Sequence, residues 1–143
     1  MKWRWGSPTR PDAGMLAVEP NLIVRYLTRD HPGQSAKARA VIDGEDVFVS
    51  TTVLLETEWV LRSAYSFDCA RVCAALRGFA GLPRVSLEEP ALVATALDRA
   101  AHGLDFADAL HLGAAEDRGD FVTFDRQLIK AARAAGLRNV RAP

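Results

Sequence analysis

The chain has 143 residues, 49% of them hydrophobic and 25% charged, with a formal net charge of zero. That is the size of one ordinary domain, large enough to bury a core without disulfide or metal staples. The balance excludes a disordered, collagen-like or coiled-coil chain and a strongly basic nucleic-acid wrapper, and no apolar run is long enough to span a membrane.

Residues 1–14 carry Lys2, Arg4 and Arg10 without an apolar run, so they read as a loose N-terminal extension and not a signal peptide. A single domain is expected over 15–143. Leu16-Ala17-Val18 reads as a short buried strand. Pro20 suits a first helical turn, and Leu22, Ile23, Tyr26 and Leu27 form a helical stripe that Pro32-Gly33 breaks. A second short helix runs from Ser35 to Ile42, ended by Asp43-Gly44. Val47-Phe48-Val49 is the second strand, and Thr52 to Tyr65 a long helix. Asp68 can cap the next helix, from Cys69 to about Phe79, which Gly81-Leu82-Pro83 stops. Val85 sits in a third, weak strand. Pro90 opens a helix to Ala101, with Gly103 just beyond. Asp105 caps a helix to about Arg118, closed by Gly119. Phe121 to Phe124 is a fourth strand, Asp125 caps the last helix to Gly136, and Val140 begins a small edge strand. Short apolar strands alternating with helices predict an α/β fold with a parallel sheet, whose ligand site lies beyond the carboxyl ends of the strands.

The neutral charge is unevenly placed. From Glu88 to Asp125 there are nine acids and two bases, and after Asp125 there are five bases and no acid. That pattern suits a cation site beside a surface that attracts an anion. Cys69 and Cys73 cannot make a four-ligand zinc site, and read as small buried residues of a protein in the reducing cytoplasm.

The acids at element ends carry the chemistry. Glu19 follows the first strand and Asp125 the fourth, so both carboxylates emerge at one sheet edge if those strands are parallel and adjacent. At about 100° per residue, Glu56 falls between Trp59 and Val60 and is expected to face the body of the protein. Glu58 falls beside Arg62 and is expected to form an exposed ion pair. Asp105 is explained as an N-cap. Asp108 lies in the first helical turn but shares a face with Leu112 and Ala115, so it points inward. Taken singly, each acid has a plain structural reading as a cap or an edge residue. Together, several inward carboxylates cannot all stay ionised in one cleft without a cation, and hard oxygen ligands select Mg²⁺ or Mn²⁺. Such an ion suits phosphodiester cleavage, because it polarises the phosphoryl oxygen and lowers the pKa of a water. Arg126, Lys130 and Arg133 recur at i, i+4 and i+7, a basic face that either steers an RNA backbone or is simply solvated. Arg25 and Arg29 leave the same two readings open. His111, one turn after Asp108, is read as structural.

Four runs resemble the PIN-domain nucleases of the VapC toxin type. They are Met15 to Leu27, Glu56-Thr57-Glu58-Trp59-Val60-Leu61, Asp105-Phe106-Ala107-Asp108-Ala109-Leu110-His111 and Thr123-Phe124-Asp125. The resemblance covers about 15–140. It implies a three-layer α/β/α sandwich with a short central parallel sheet. It implies Mg²⁺- or Mn²⁺-dependent endonuclease cleavage of RNA, a homodimer and inhibition by a small VapB-like antitoxin. The family's acids correspond to Glu19, Glu56, Asp108 and Asp125, and its polar supporting positions to Asn21 and Thr123, with Asp105 supporting. The family's Asp-Thr-Asn at the first strand end reads Glu19-Pro20-Asn21 here. The longer side chain shifts the carboxylate, and Pro20 removes a hydroxyl and a backbone N–H. A second class of function therefore stands beside the nuclease: a module of the same fold that binds antitoxin or RNA without cutting. A phosphotransferase on a similar sheet lacks its motif, since Glu19-Pro20-Asn21 supplies no Asp-x-Asp.

Overall fold

The computed structural model describes Asp12 and residues 14–143. The extension expected over 1–14 falls outside the described residues, apart from Asp12 and Gly14. The chain gathers into two units, the first ending at Ala91 and the second running from Leu92 to Pro143.

The first unit opens with β1 (Leu16–Ala17), α1 (Pro20–Thr28), α2 (Pro32–Gly44) and β2 (Val47–Val49). It continues with α3 (Thr51–Ser63), α4 (Cys69–Ala80) and β3 (Val85–Leu87). Its sheet has the order β1-β2-β3, parallel throughout, with Ala17 opposite Phe48 and Phe48 opposite Ser86. Val47, Phe48 and Val49 are all buried, as a strand paired on both edges and covered on both faces requires. α1 packs on α2 and α3, and Phe79 of α4 meets the Tyr26 ring edge-on at 6.2 Å.

Capping residues set most boundaries here. Ser50 accepts from the Val53 amide and Asp68 from the Arg71 amide, each taking up an N–H that the helix itself cannot pair. Glu88 adds a cap from outside, its Oε1 accepting from the Thr51 amide at 3.0 Å. Pro32-Gly33 does not separate two helices by itself, contrary to expectation. Pro32 opens α2, and the His31 ring caps it by accepting from the Gln34 amide. A proline needs no amide partner in a first turn, so Pro32 starts α2, while α1 has already ended at Thr28 with Arg29 in the left-handed region.

The second unit contains α6 (Phe106–Ala115), β4 (Phe121–Val122), α7 (Arg126–Ala134) and β5 (Val140–Arg141), after α5 (Pro90–Ala101), in whose first turn the division falls. α5 and α7 close with the same device. Leu104 N donates to Arg99 O and Gly103 N to Ala100 O, while Leu137 N donates to Ala132 O and Gly136 N to Arg133 O. Gly103 and Gly136 take positive φ values of 106° and 87°, which a side chain would resist, and the leucine that follows each is buried. Gly113 of α6 faces Leu92, where an added Cβ would come within 2.6 Å of Leu92 Cδ1.

Two expectations fail in this unit. α6 ends at Ala115 and not near Arg118, and β4 stops at Val122. β4 also pairs in parallel with β5, Phe121 opposite Val140, in a two-stranded sheet of its own. The turn after β4 is tied to β5 as well, Thr123 N donating to Arg141 O. No helix among the described residues is long and apolar enough to cross a membrane.

Candidate active site

The first unit holds Glu19, Asn21 and Glu56. Glu19 is the N-cap residue of α1, with extended backbone, yet its side chain does not cap the helix. Pro20 follows at a position whose amide would be unpaired in any case, so its missing N–H costs the helix nothing. Glu19 and Asn21 border a cavity of about 360 Å³, together with Arg25, Gln34 and Lys37. One carboxylate and two cations therefore share a rim.

Arg25 is the hub of a polar network. Its Nη1 donates to both oxygens of Asp30 (2.9 and 3.0 Å) and to the Tyr65 hydroxyl (2.8 Å), and its Nε to Gln34 Oε1 (2.8 Å). Tyr65 and Thr28 donate in turn to Asp30. These bonds, Tyr65 first, pull the Asp30 carboxyl down to about 2. No spacing in the sequence marks the cluster, because Tyr65 lies 35 residues from Asp30.

Glu56 and Glu58 exchange the faces expected of them. Glu56 is exposed, and Glu58 is 4% exposed within the buried stripe Leu54, Thr57, Glu58 and Leu61. The pair with Arg62 exists, but its carboxylate is buried. Arg62 reaches it with two N–H groups, Nη2 to Oε1 at 2.9 Å, and that fork offsets the cost of removing the charge from water. Trp59, which suggested the inward face, is 59% exposed.

The second unit brings the charges of Asp105 and Asp125 within reach of Asp108. Asp105 is the N-cap of α6 and accepts from the Asp108 amide at 3.1 Å. Asp125 caps α7, its Oδ1 accepting from the Gln127 and Leu128 amides at 3.0 and 3.1 Å. Thr123 Oγ1 accepts from Asp125 N at 3.0 Å and so sets the turn that carries this acid. Asp108 is half-buried. Burial first, then the charges of Asp105 and Asp125, push its carboxyl up, against the smaller pull of His111. Arg126, Lys130 and Arg133 are all exposed on α7, Arg133 turned toward Val140 O.

The cysteines are only half as expected. Cys73 is buried and Cys69 exposed, with sulfurs 3.9 Å apart on α4.

A family model described as PIN domain matches residues 18–134. The chain belongs to the PIN-domain family. No curated protein and no solved structure matches it. The α/β build with short parallel strands is that of a PIN domain, and PIN domains are generally nucleases that use divalent metal ions. Among the described residues of this PIN domain, no cluster of three or more His, Cys, Asp or Glu side chains is arranged to hold a metal ion. Its donor chemistry fits such an ion nonetheless. The acids present hard carboxylate oxygens, and the burial and then the neighbouring charges that raise the Asp108 carboxyl are what a divalent cation offsets.

Proposed function

We propose that this PIN domain is a Mg²⁺- or Mn²⁺-dependent endoribonuclease, the toxin of a toxin–antitoxin pair working in the cytoplasm. The observation that carries the reading is the group of carboxylates at the starts of α6 and α7. Asp108 is half-buried beside the charges of Asp105 and Asp125, an arrangement that stability alone does not favour.

Asp108 and Asp125 would hold the cation, and by the resemblance alone Glu19 and Glu56 keep the family's other two ligand positions. When bound, the ion polarises the scissile phosphoryl oxygen, lowers the pKa of a water and offsets charge on the leaving oxygen. The chain's other residues orient the ligands. Asp105 holds the first turn of α6, and with it the backbone of Asp108. Thr123 holds the turn that presents Asp125. Asn21 stands beside Glu19 on the first turn of α1. The exposed bases of α7 attract the RNA backbone. A VapB-like antitoxin would block the acids, and a second copy would complete a homodimer.

One observation favours a second reading, in which the domain binds antitoxin or RNA without cutting. Glu19 is one methylene longer than the family's Asp, and Mg²⁺ demands near-octahedral oxygens at about 2.0–2.1 Å. Cleavage of a structured RNA pool in Mg²⁺, Mn²⁺ or EDTA decides between them. Antitoxin-free protein is expected to cut only with metal, and Asp108→Asn to lose about 10²-fold or more of that rate. Silence of the natural protein together with cutting by Glu19→Asp would establish the binding module. Metal-independent cutting, or full activity of Asp108→Asn, would overturn the nuclease mechanism.

A further inference from the structure

Phe124 is 89% exposed, more than any other large apolar residue of the described chain. A ring turned fully to water forgoes the gain of burial, and here it does so on a backbone held from both sides. Thr123 N donates to Arg141 O, Thr123 Oγ1 accepts from Asp125 N, and Asp125 caps α7. The ring is presented on an ordered turn. Next in the chain come Asp125, whose charge reaches Asp108, and the exposed Arg126, with Lys130 a turn further on.

We propose that Phe124 is a stacking platform for one base of a single-stranded RNA, the base flanking the phosphate drawn to Arg126 and Lys130. This deepens the nuclease reading and rests on it for the identity of the nucleic acid. The occupant follows from the surroundings. A nucleobase is flat and apolar on its faces, and every base offers such a face. It carries its own anion, which suits a ring followed at once by basic residues. A folded protein partner wants a contiguous apolar core, whereas the chain neighbours of Phe124 are Thr123, Asp125, Arg126 and Gln127, with Val122 the nearest exposed large apolar residue in the chain. The ring then does two things: it holds a nucleotide in register and it disfavours paired RNA, whose bases are already stacked. Phe124 touches no reacting atom and is a positioning residue.

The test uses short fluorescein-labelled single-stranded RNAs, with a series carrying one abasic site at each position. Their Kd is measured in EDTA and in Ca²⁺ for the natural protein and for Phe124→Ala, Phe124→Leu and Phe124→Trp. Loss of stacking is expected to weaken binding about 5- to 100-fold in the alanine and leucine variants, while tryptophan retains or tightens it. One abasic position should weaken the natural protein by a similar factor and leave Phe124→Ala indifferent. Equal binding by all four proteins overturns the proposal, as does rescue by leucine, which marks a mere apolar contact. It is also overturned if sedimentation shows a dimer that Phe124→Ala dissociates without changing RNA binding, or if the natural protein binds none of the RNAs. Cleavage of the same RNAs in Mg²⁺ separates the two readings. Cutting that is indifferent to Phe124 keeps the nuclease and removes the platform. Phe124-dependent binding without cutting keeps the platform and removes the nuclease.

Discussion

Asp105 acts on Asp108 in two opposed ways. Its carboxylate accepts the Asp108 amide at 3.1 Å and so secures the first turn of α6, while its charge helps push the Asp108 carboxyl up. The two effects separate by substitution. Asp105→Asn keeps a capping oxygen and removes the charge, so stability is expected to hold within about 0.5 kcal/mol. Asp105→Ala loses the cap and is expected to cost about 1 kcal/mol. Urea denaturation of the three proteins at pH 7 checks this, and equal losses in both variants would mean that the cap is not what Asp105 contributes.

The exchanged faces of α3 set a second expectation. Glu58→Ala removes the buried carboxylate that two Arg62 N–H groups clasp and is expected to destabilise the protein by about 2 kcal/mol. Glu56→Ala alters an exposed residue and is expected to change stability by less than about 0.5 kcal/mol while reducing metal-dependent cleavage. Thermal unfolding and a cleavage assay on both variants assign the two glutamates. A stable Glu58→Ala protein would contradict the packing of α3.

The Arg25–Asp30–Tyr65 network makes stability depend on acid. The Asp30 carboxyl lies at about 2 in the folded protein, below its ordinary 3.8, chiefly through the Tyr65 hydroxyl. A lowered carboxyl stabilises the fold above the ordinary value and loses that contribution as pH falls through the folded one. The network's share is therefore complete above pH 4 and disappears between about pH 4 and 2. Denaturation midpoints taken across that window should fall in the natural protein and fall less in Asp30→Asn. Parallel slopes would show that Asp30 is not the group responsible.

Cys73 carries the fourth expectation. Burial above all, then the neighbouring Cys69, pushes its thiol up to about 11. Two units above the ordinary value means roughly a hundredfold less thiolate, partly offset by the greater nucleophilicity of the more basic sulfur. Iodoacetamide at pH 8 should therefore modify Cys73 at least about tenfold more slowly than an ordinary thiol, while Cys69 reacts at the surface. Mass spectrometry of the α4 peptide distinguishes the two sites, and rapid labelling of Cys73 would refute its burial.

Helix ends were legible in the sequence because capping is local. The Asp68, Asp105 and Asp125 side chains reach amides two or three residues ahead, and Gly103 and Gly136 relieve strain where they stand. Asp105, Asp108 and Asp125 could be singled out at such ends for the same reason, whereas the reach of the Asp125 charge to Asp108 is a tertiary matter. The inward face of α3 was not. Its stripe runs through Leu54, Thr57, Glu58 and Leu61, and a buried glutamate is intelligible only once the Arg62 fork that neutralises it is formed. The pairing of β4 with β5 was equally hidden, because strands of two residues carry too little pattern to name a neighbour. The role of Arg25 depended on Tyr65, distant in the chain and adjacent in the fold. The sequence by itself thus determined what single residues do to the backbone within one helical turn. Tertiary structure decided which side chains leave water and whom they meet there, since the cost of burying a charge is set by partners that local spacing does not contain.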